Sequence, residues 1–119
     1  MLIKYTVDGI QNKISISKNI DNKFISEIDK VSSDKNILVI FDGNINSLLV
    51  FKLKNLLKLR GYNVYFINMK GQKKNKNIKY LMLILEFMLK KKFTKSSILF
   101  SIGGGVVGDI SALAASLYY

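Results

Sequence analysis

Residues Ile98-Leu-Phe-Ser-Ile-Gly-Gly-Gly-Val-Val-Gly-Asp109 set an apolar run against three consecutive glycines, followed at once by a fourth glycine and an aspartate. The next segment, Ile110-Ser-Ala-Leu-Ala-Ala-Ser-Leu117, reads as a helix. Strand, glycine turn and helix in that order make a phosphate cradle. Glycines let backbone N–H groups approach an anion closely, and the helix N-terminus adds partial positive charge. Gly103, Gly105 and Gly108 also satisfy G-x-G-x-x-G, a weak signal alone that the flanking strand and helix strengthen. All three alanines of the chain and four of its eight glycines lie between residues 103 and 115. Two readings account for that concentration: a close helix–sheet contact, or that contact plus a bound phosphate.

Working outward, the remaining elements fall into an alternating order. Leu2–Val7 and 13–17 alternate with period two, and Asp8-Gly9 supplies turn chemistry, so an antiparallel pair is expected. A short helix is expected over Asn22–Val31, with Asp21 as its cap. Asn36-Ile-Leu-Val-Ile-Phe41 is a continuous apolar run, as in a strand covered on both faces, and Asp42-Gly-Asn44 ends it. An amphipathic helix opens at Asn46 or Ser47 and carries Leu49, Leu53, Leu56 and Leu57 to a stop at Gly61. Tyr62–Ile67 is the next strand, 70–76 a polar loop, and 77–91 a helix that is apolar nearly all round in its middle. Such a helix is either deeply buried or covered by further chain. The sum is an α/β fold: a Rossmann-like, mainly parallel sheet with flanking helices, after an N-terminal β-hairpin. Ligands bind beyond the carboxyl ends of strands in such sheets. Asp42-Gly43-Asn44, the 70–76 loop and Gly103–Asp109 all follow strands at that edge.

Composition narrows the chemistry. The 119 residues suit one domain, 49% of them apolar, and there is neither cysteine nor histidine. Disulfides, thiolate metal sites and imidazole bases are therefore excluded, and no nucleophile–base pair can be assembled. The net charge of +11 suits a polyanion, but 18 of the 19 basic residues are lysines scattered among 11 asparagines and 16 isoleucines. Without arginine forks or interleaved aromatics this is a poor nucleic-acid reader, so no nucleic-acid partner is expected. No membrane span or signal peptide is apparent either, and the chain reads as cytoplasmic. Asp42 can accept hydrogen bonds from ribose hydroxyls or simply form an Asp-Gly turn. Asp109 can cap its helix, or orient a polar ligand or a lysine.

The run Gly103-Gly-Gly-Val-Val-Gly-Asp109, with the small-residue helix after it, resembles the nucleotide-binding signature of the 3-dehydroquinate synthase family. In that family an Arg-Gly pair follows. Asp42-Gly-Asn44 is similar to its first nucleotide loop, and Gly71-Gln-Lys-Lys-Asn75 stands where it carries G-E-x-x-K, with Gln72 for the Glu and Asn75 for the Lys. NAD-dependent polyol dehydrogenases share the three glycines and the aspartate, but the Val-Val-Gly insertion favours the synthase. The resemblance implies a lyase of the shikimate pathway, in aromatic amino acid (chorismate) biosynthesis. It converts 3-deoxy-arabino-heptulosonate 7-phosphate to 3-dehydroquinate and phosphate with NAD and a divalent metal, zinc or cobalt.

It further implies that residues 1–119 are an N-terminal NAD-binding domain, incomplete at its C-terminal end. The helical metal-binding domain, with a Glu and two His as ligands, would be absent. Gly103, Gly104, Gly105 and Val106 would receive the NAD pyrophosphate, and Asp109 would help place the nicotinamide end. Asp42 and Asn44 would lie near the adenosine, with Gly71, Gln72 and Asn75 on the neighbouring loop. No catalytic residue or metal ligand is expected in this chain. The expected partners are a dinucleotide, a sugar-phosphate substrate once a second domain is present, and a second copy or complementing chain. The alternatives are a degenerate, non-catalytic domain that pairs with another chain, and a fragment of a related NAD-dependent polyol dehydrogenase.

Overall fold

A computed structural model describes residues 1–16, 19–31, 34–70 and 72–118. The chain begins with a hairpin of β1 (Leu2–Val7) and β2 (Ile10–Ser15), followed by α1 (Asn22–Val31), β3 (Asn36–Asp42) and α2 (Ser47–Leu59). After these come β4 (Asn63–Met69), a short 3-10 turn at Lys73–Asn75, α3 (Ile78–Lys90), β5 (Ile98–Ile102) and α4 (Gly105–Tyr118).

β3, β4 and β5 form a parallel sheet in the order β4-β3-β5. The apolar run of β3 puts it in the middle, where Ile37, Leu38, Val39 and Ile40 are all fully buried. Alternation along the strand divides them between two cores. Leu38 and Ile40 join Ile84 and Met88 of α3 and Val107, Ile110 and Ala114 of α4, whereas Ile37 and Val39 join Ile25 and Ile28 of α1 and Leu53 and Leu57 of α2. Helices therefore cover both faces, as the uninterrupted apolar run requires. Helix α3 does not need burial all round: Ile84 and Met88 are buried, while Met82, Leu83 and Leu89 are exposed.

Two boundaries differ from the sequence reading. Strand β2 starts at Ile10 rather than at 13, because Asp8 (φ 49°) and Gly9 (φ 78°) form a two-residue turn that lets pairing begin at once. Helix α4 starts at Gly105 rather than at Ile110, so Gly103-Gly104 alone make the turn and Gly108 lies inside the helix, its N–H bonded to the Gly104 carbonyl (3.1 Å).

The hairpin forms its own two-stranded sheet. Its register pairs Ile3 with Ile14, Tyr5 with Asn12 and Val7 with Ile10, placing these side chains on one face. Ile3, Tyr5, Val7, Ile10 and Ile14 are all exposed. Among the described residues, no helix is long and apolar enough to cross a membrane.

Candidate functional site: the glycine turn at the carboxyl edge of the sheet

The register brings the strand ends level, with Phe41 opposite Ile102 and Asp42 opposite Met69. Chain order runs from β3 outward to β4, then back across β3 to β5. The ends of β3 and β5 thus flank a topological switch point, where the loops diverge and leave a crevice. Asp42 and Gly103 stand at that point, and a Cβ on Gly103 would lie 3.1 Å from the Cβ of Asp42 and 3.3 Å from that of Val107. Gly103 also holds φ +151°, which side-chain-bearing residues rarely adopt. The turn from strand to helix is tight enough that only glycine fits its first position.

The other glycines have a different surrounding. A Cβ at Gly104, Gly105 or Gly108 would meet no atom within 4 Å. Close packing within the chain accounts for Gly103 and for the buried Ala114, but not for these three. The space beside Gly104 and Gly105 is open at the start of a 14-residue helix, and that beside Gly108 is open within its first turns. Val106 is partly buried and packs on the α3–α4 core, so its side chain points away from the job its backbone could do.

Helices α2, α3 and α4 all begin at this edge, and none has an acidic residue in its first turn. Three N-terminal dipole ends without compensating carboxylates favour an anion there. Asn46 and Asn77 cap α2 and α3, accepting from the N–H of Leu48 (2.9 Å) and of Tyr80 (3.2 Å).

Asp42 accepts a hydrogen bond at Oδ1 from the Asn44 N–H (2.9 Å), which is the turn geometry of an Asp-Gly pair. Asn44 itself is exposed. Gly71 lies outside the described residues. Gln72 is exposed, and its backbone N–H and carbonyl bond within the loop to Lys70 (2.8 Å) and Asn75 (2.9 Å). The Asn75 amide is used internally, donating from Nδ2 to the Lys70 carbonyl (2.7 Å).

The loop reaches α4 through Lys76, a residue absent from the sequence-derived site. Its Nζ lies 2.6 Å from Oδ2 of Asp109. Of the roles open to Asp109, the structure shows it pairing with a lysine. The sequence signals for Lys76 are its place in a lysine-rich loop and its position next to Asn75, where the resembled family carries a lysine; Lys74, on the other side of Asn75, shares both. Beside Gly103 a cleft of about 470 Å³ opens, lined by Phe24, Leu49, Phe100, Ile102, Asn19 and Ser101. Among the described residues no group of three or more carboxylates, histidines or cysteines could hold a metal ion.

Residues 66–119 match the model of the 3-dehydroquinate synthase N-terminal region. The 3-dehydroquinate synthase of Clostridium acetobutylicum is 39% identical over 105 residues, 88% of this chain and 30% of that enzyme. That of Pelagibacter ubique is 34% identical over 117 residues, 98% of this chain and 31% of that enzyme. The chain therefore spans about 30% of the length of the curated relatives it matches. A solved 2-deoxy-scyllo-inosose synthase, complexed with carbaglucose-6-phosphate, NAD+ and Co2+, superposes with a TM-score of 0.84 at 14% identity, over 98% of this chain and 31% of that one. At that identity the likeness bears on the fold.

Proposed function

Since the chain belongs to the 3-dehydroquinate synthase family, in its N-terminal part, we propose that residues 1–119 act as the NAD-binding domain of a cytoplasmic enzyme of that kind. The complete reaction converts 3-deoxy-arabino-heptulosonate 7-phosphate to 3-dehydroquinate and phosphate. The observation that carries this reading is the open space beside Gly104 and Gly105, at the N-terminus of a helix whose first turn has no acid.

The residues fit a dinucleotide. N–H groups of the Gly103–Val106 turn receive the pyrophosphate, where the α4 dipole favours negative charge. Asp42 and Asn44 lie toward the adenosine, and Asp109 toward the nicotinamide end. Gln72 offers an amide to a ribose hydroxyl, a weaker contact than a carboxylate would make. The cleft beside Gly103 gives one ring of the dinucleotide an apolar surface. When bound, NAD supplies a reversible oxidation of a substrate hydroxyl, which acidifies the neighbouring C–H. This chain's part is to bind and orient the cofactor. The residues do not fit the zinc or cobalt of the family, since the sequence has no histidine or cysteine and the described carboxylates do not cluster, so no step through a metal is assigned to them.

A second reading concerns assembly. The exposed apolar face of the hairpin favours association with a second copy or a complementing chain, with or without catalysis.

Calorimetric titration of NAD into the purified chain, with circular dichroism to show that it is folded, tests the cofactor reading. Saturable binding at one site is expected. A folded chain that gives no binding heat and no chemical-shift change in residues 103–109 would overturn it.

A further inference from the structure

We propose that the free edge of β4 is a pairing surface for β4 of a second copy of this chain, and that Lys54 and Lys91 keep it closed. The strand Asn63-Val-Tyr-Phe-Ile-Asn-Met69 has no charge and no proline, and its centre is aromatic and β-branched. Segments of that composition pair readily with one another wherever an edge is left open. β3 occupies one side of β4, and among the described residues no strand pairs on the other.

Hydrogen bonding shows which backbone groups face outward. The Asn63 N–H donates to the Lys35 carbonyl (2.7 Å), and the Met69 carbonyl accepts from the Gly43 N–H (3.3 Å). Along a parallel pair, alternate residues turn both backbone groups to the same neighbour. Residues 63, 65, 67 and 69 therefore serve β3, and the N–H and C=O groups of Val64, Phe66 and Asn68 point away from it. An edge with such a row of groups is a template for another strand.

The side chains of the same strand carry the guard. Tyr65 packs into the core under α3, and Phe66 into the core under α2. An ammonium lies over the ring on each face. Lys54 of α2 places Nζ 5.9 Å from the Phe66 ring centre. Lys91, the C-cap of α3, places Nζ 5.4 Å from the Tyr65 ring centre and 6.0 Å from that of Phe87. Attraction to the negative ring faces holds each cation close to the strand.

Symmetry turns those cations against self-pairing. Two identical edges join about a two-fold axis, with the strands antiparallel and the α2 faces on one side. The pairing that uses all three outward residues sets Phe66 opposite Phe66 and Val64 opposite Asn68. Directly opposed Cα atoms in such a pair are about 5.5 Å apart, so the two Lys54 side chains would crowd together on one face. Like charges set opposite each other across a strand pair destabilise it. The two Lys91 side chains add the same repulsion on the other face.

The test compares the parent chain with Lys54→Gln/Lys91→Gln, with Lys54→Arg/Lys91→Arg and with Lys52→Gln/Lys90→Gln. The last removes the same charge from the same two helices, at lysines that lie over no ring among the described residues. Sedimentation velocity over a concentration series reads association, and amide hydrogen exchange reads its place. The Lys54→Gln/Lys91→Gln variant should associate at about tenfold lower concentration than the parent and slow exchange at Val64, Phe66 and Asn68. The Arg variant and the Lys52→Gln/Lys90→Gln control should match the parent, with those three amides exchanging fast. Association no stronger than in the control overturns the proposal. Association that leaves the three amides fast also overturns it, since the contact then lies elsewhere, as on the hairpin. So does slow exchange at these amides in the associated parent, whose edge would be pairing with both lysines in place. If the double variant fails to fold, Lys54→Gln and Lys91→Gln are each read against Lys52→Gln and Lys90→Gln by the same criteria.

Discussion

Replacing Gly103 with alanine is the sharpest test of how the turn is built. The added Cβ would lie 3.1 Å from the Asp42 Cβ and 3.3 Å from both Cβ and Cγ2 of Val107. The two Cβ atoms are fixed by the backbones of β3 and α4, so neither can swing aside as a side-chain tip would. Either the strand end or the first turn of the helix must shift. Overpacking of this kind costs about 1–3 kcal/mol. The φ of +151° adds strain of about 1–3 kcal/mol for a residue with a side chain. Together they predict a loss of roughly 2–6 kcal/mol, against a total stability of about 5–15 kcal/mol for a typical domain. In a chain of this size that lowers the melting temperature by roughly 8–24 °C. Thermal melts and urea titrations followed by circular dichroism measure it, with Gly104→Ala as the control. Gly104 has no neighbour within 4 Å of its added Cβ and no positive φ, so its variant should melt close to the parent. If Gly103→Ala melts within about 2 °C of the parent, or no lower than Gly104→Ala, the strained turn described here is wrong.

Gly108→Ala should stabilise the fold by about 0.5–1 kcal/mol, because it removes a glycine from a helix interior without filling occupied space, as urea titration would show. Gly105→Ala should leave the fold intact yet weaken NAD binding about tenfold or more, since its methyl would occupy the approach of the pyrophosphate to the helix N-terminus. At the opposite edge of the sheet, Asp34 accepts from the Asn36 N–H (2.9 Å), the Ser97 hydroxyl (2.7 Å) and the Thr94 hydroxyl. Burial pushes its carboxyl up, but those hydrogen bonds outweigh it and hold the carboxyl below its ordinary value. A lowered folded-state pKa means stability that is fully present above the ordinary carboxylate range and lost as pH falls through the folded value. Asp34→Asn should therefore cost about 1–3 kcal/mol at neutral pH and progressively less in acid, read from urea midpoints across a pH series. In α3, Ile84→Ala should cost about 2–5 kcal/mol, and Leu83→Ala under about 1 kcal/mol, because Ile84 is fully buried and Leu83 is 48% exposed.

Much of this protein was legible in its sequence because the relevant signals are local. The apolar run at Asn36–Phe41 required a strand covered on both faces, and β3 is the central strand between two helix layers. The Asp8-Gly9 pair marked the hairpin turn, and the glycine cluster marked the strand–helix junction. The start of α4 was misplaced because glycine disfavours helices by propensity, whereas packing of Val107 and Ile110 against β3 and α3 draws the helix back to Gly105. The sequence order already set the glycine turn and Asp42 at one edge of the sheet, but it did not show the partner of Asp109. Lys76 lies 33 residues away in a loop where several lysines look alike.

The order of elements, the parallel sheet they imply and the glycine signature of the family can all be read from the chain without its fold. Each follows from side-chain period, turn chemistry or a contiguous motif, properties a short stretch of chain carries whatever surrounds it. The tertiary structure alone decided that Asp42 stands against Gly103, that Gly104, Gly105 and Gly108 face open space, and that Lys76 rather than Asn75 spans to α4. Those are distances between segments far apart in the chain, set by strand order and register, and no local pattern encodes which of several similar side chains the fold will bring together.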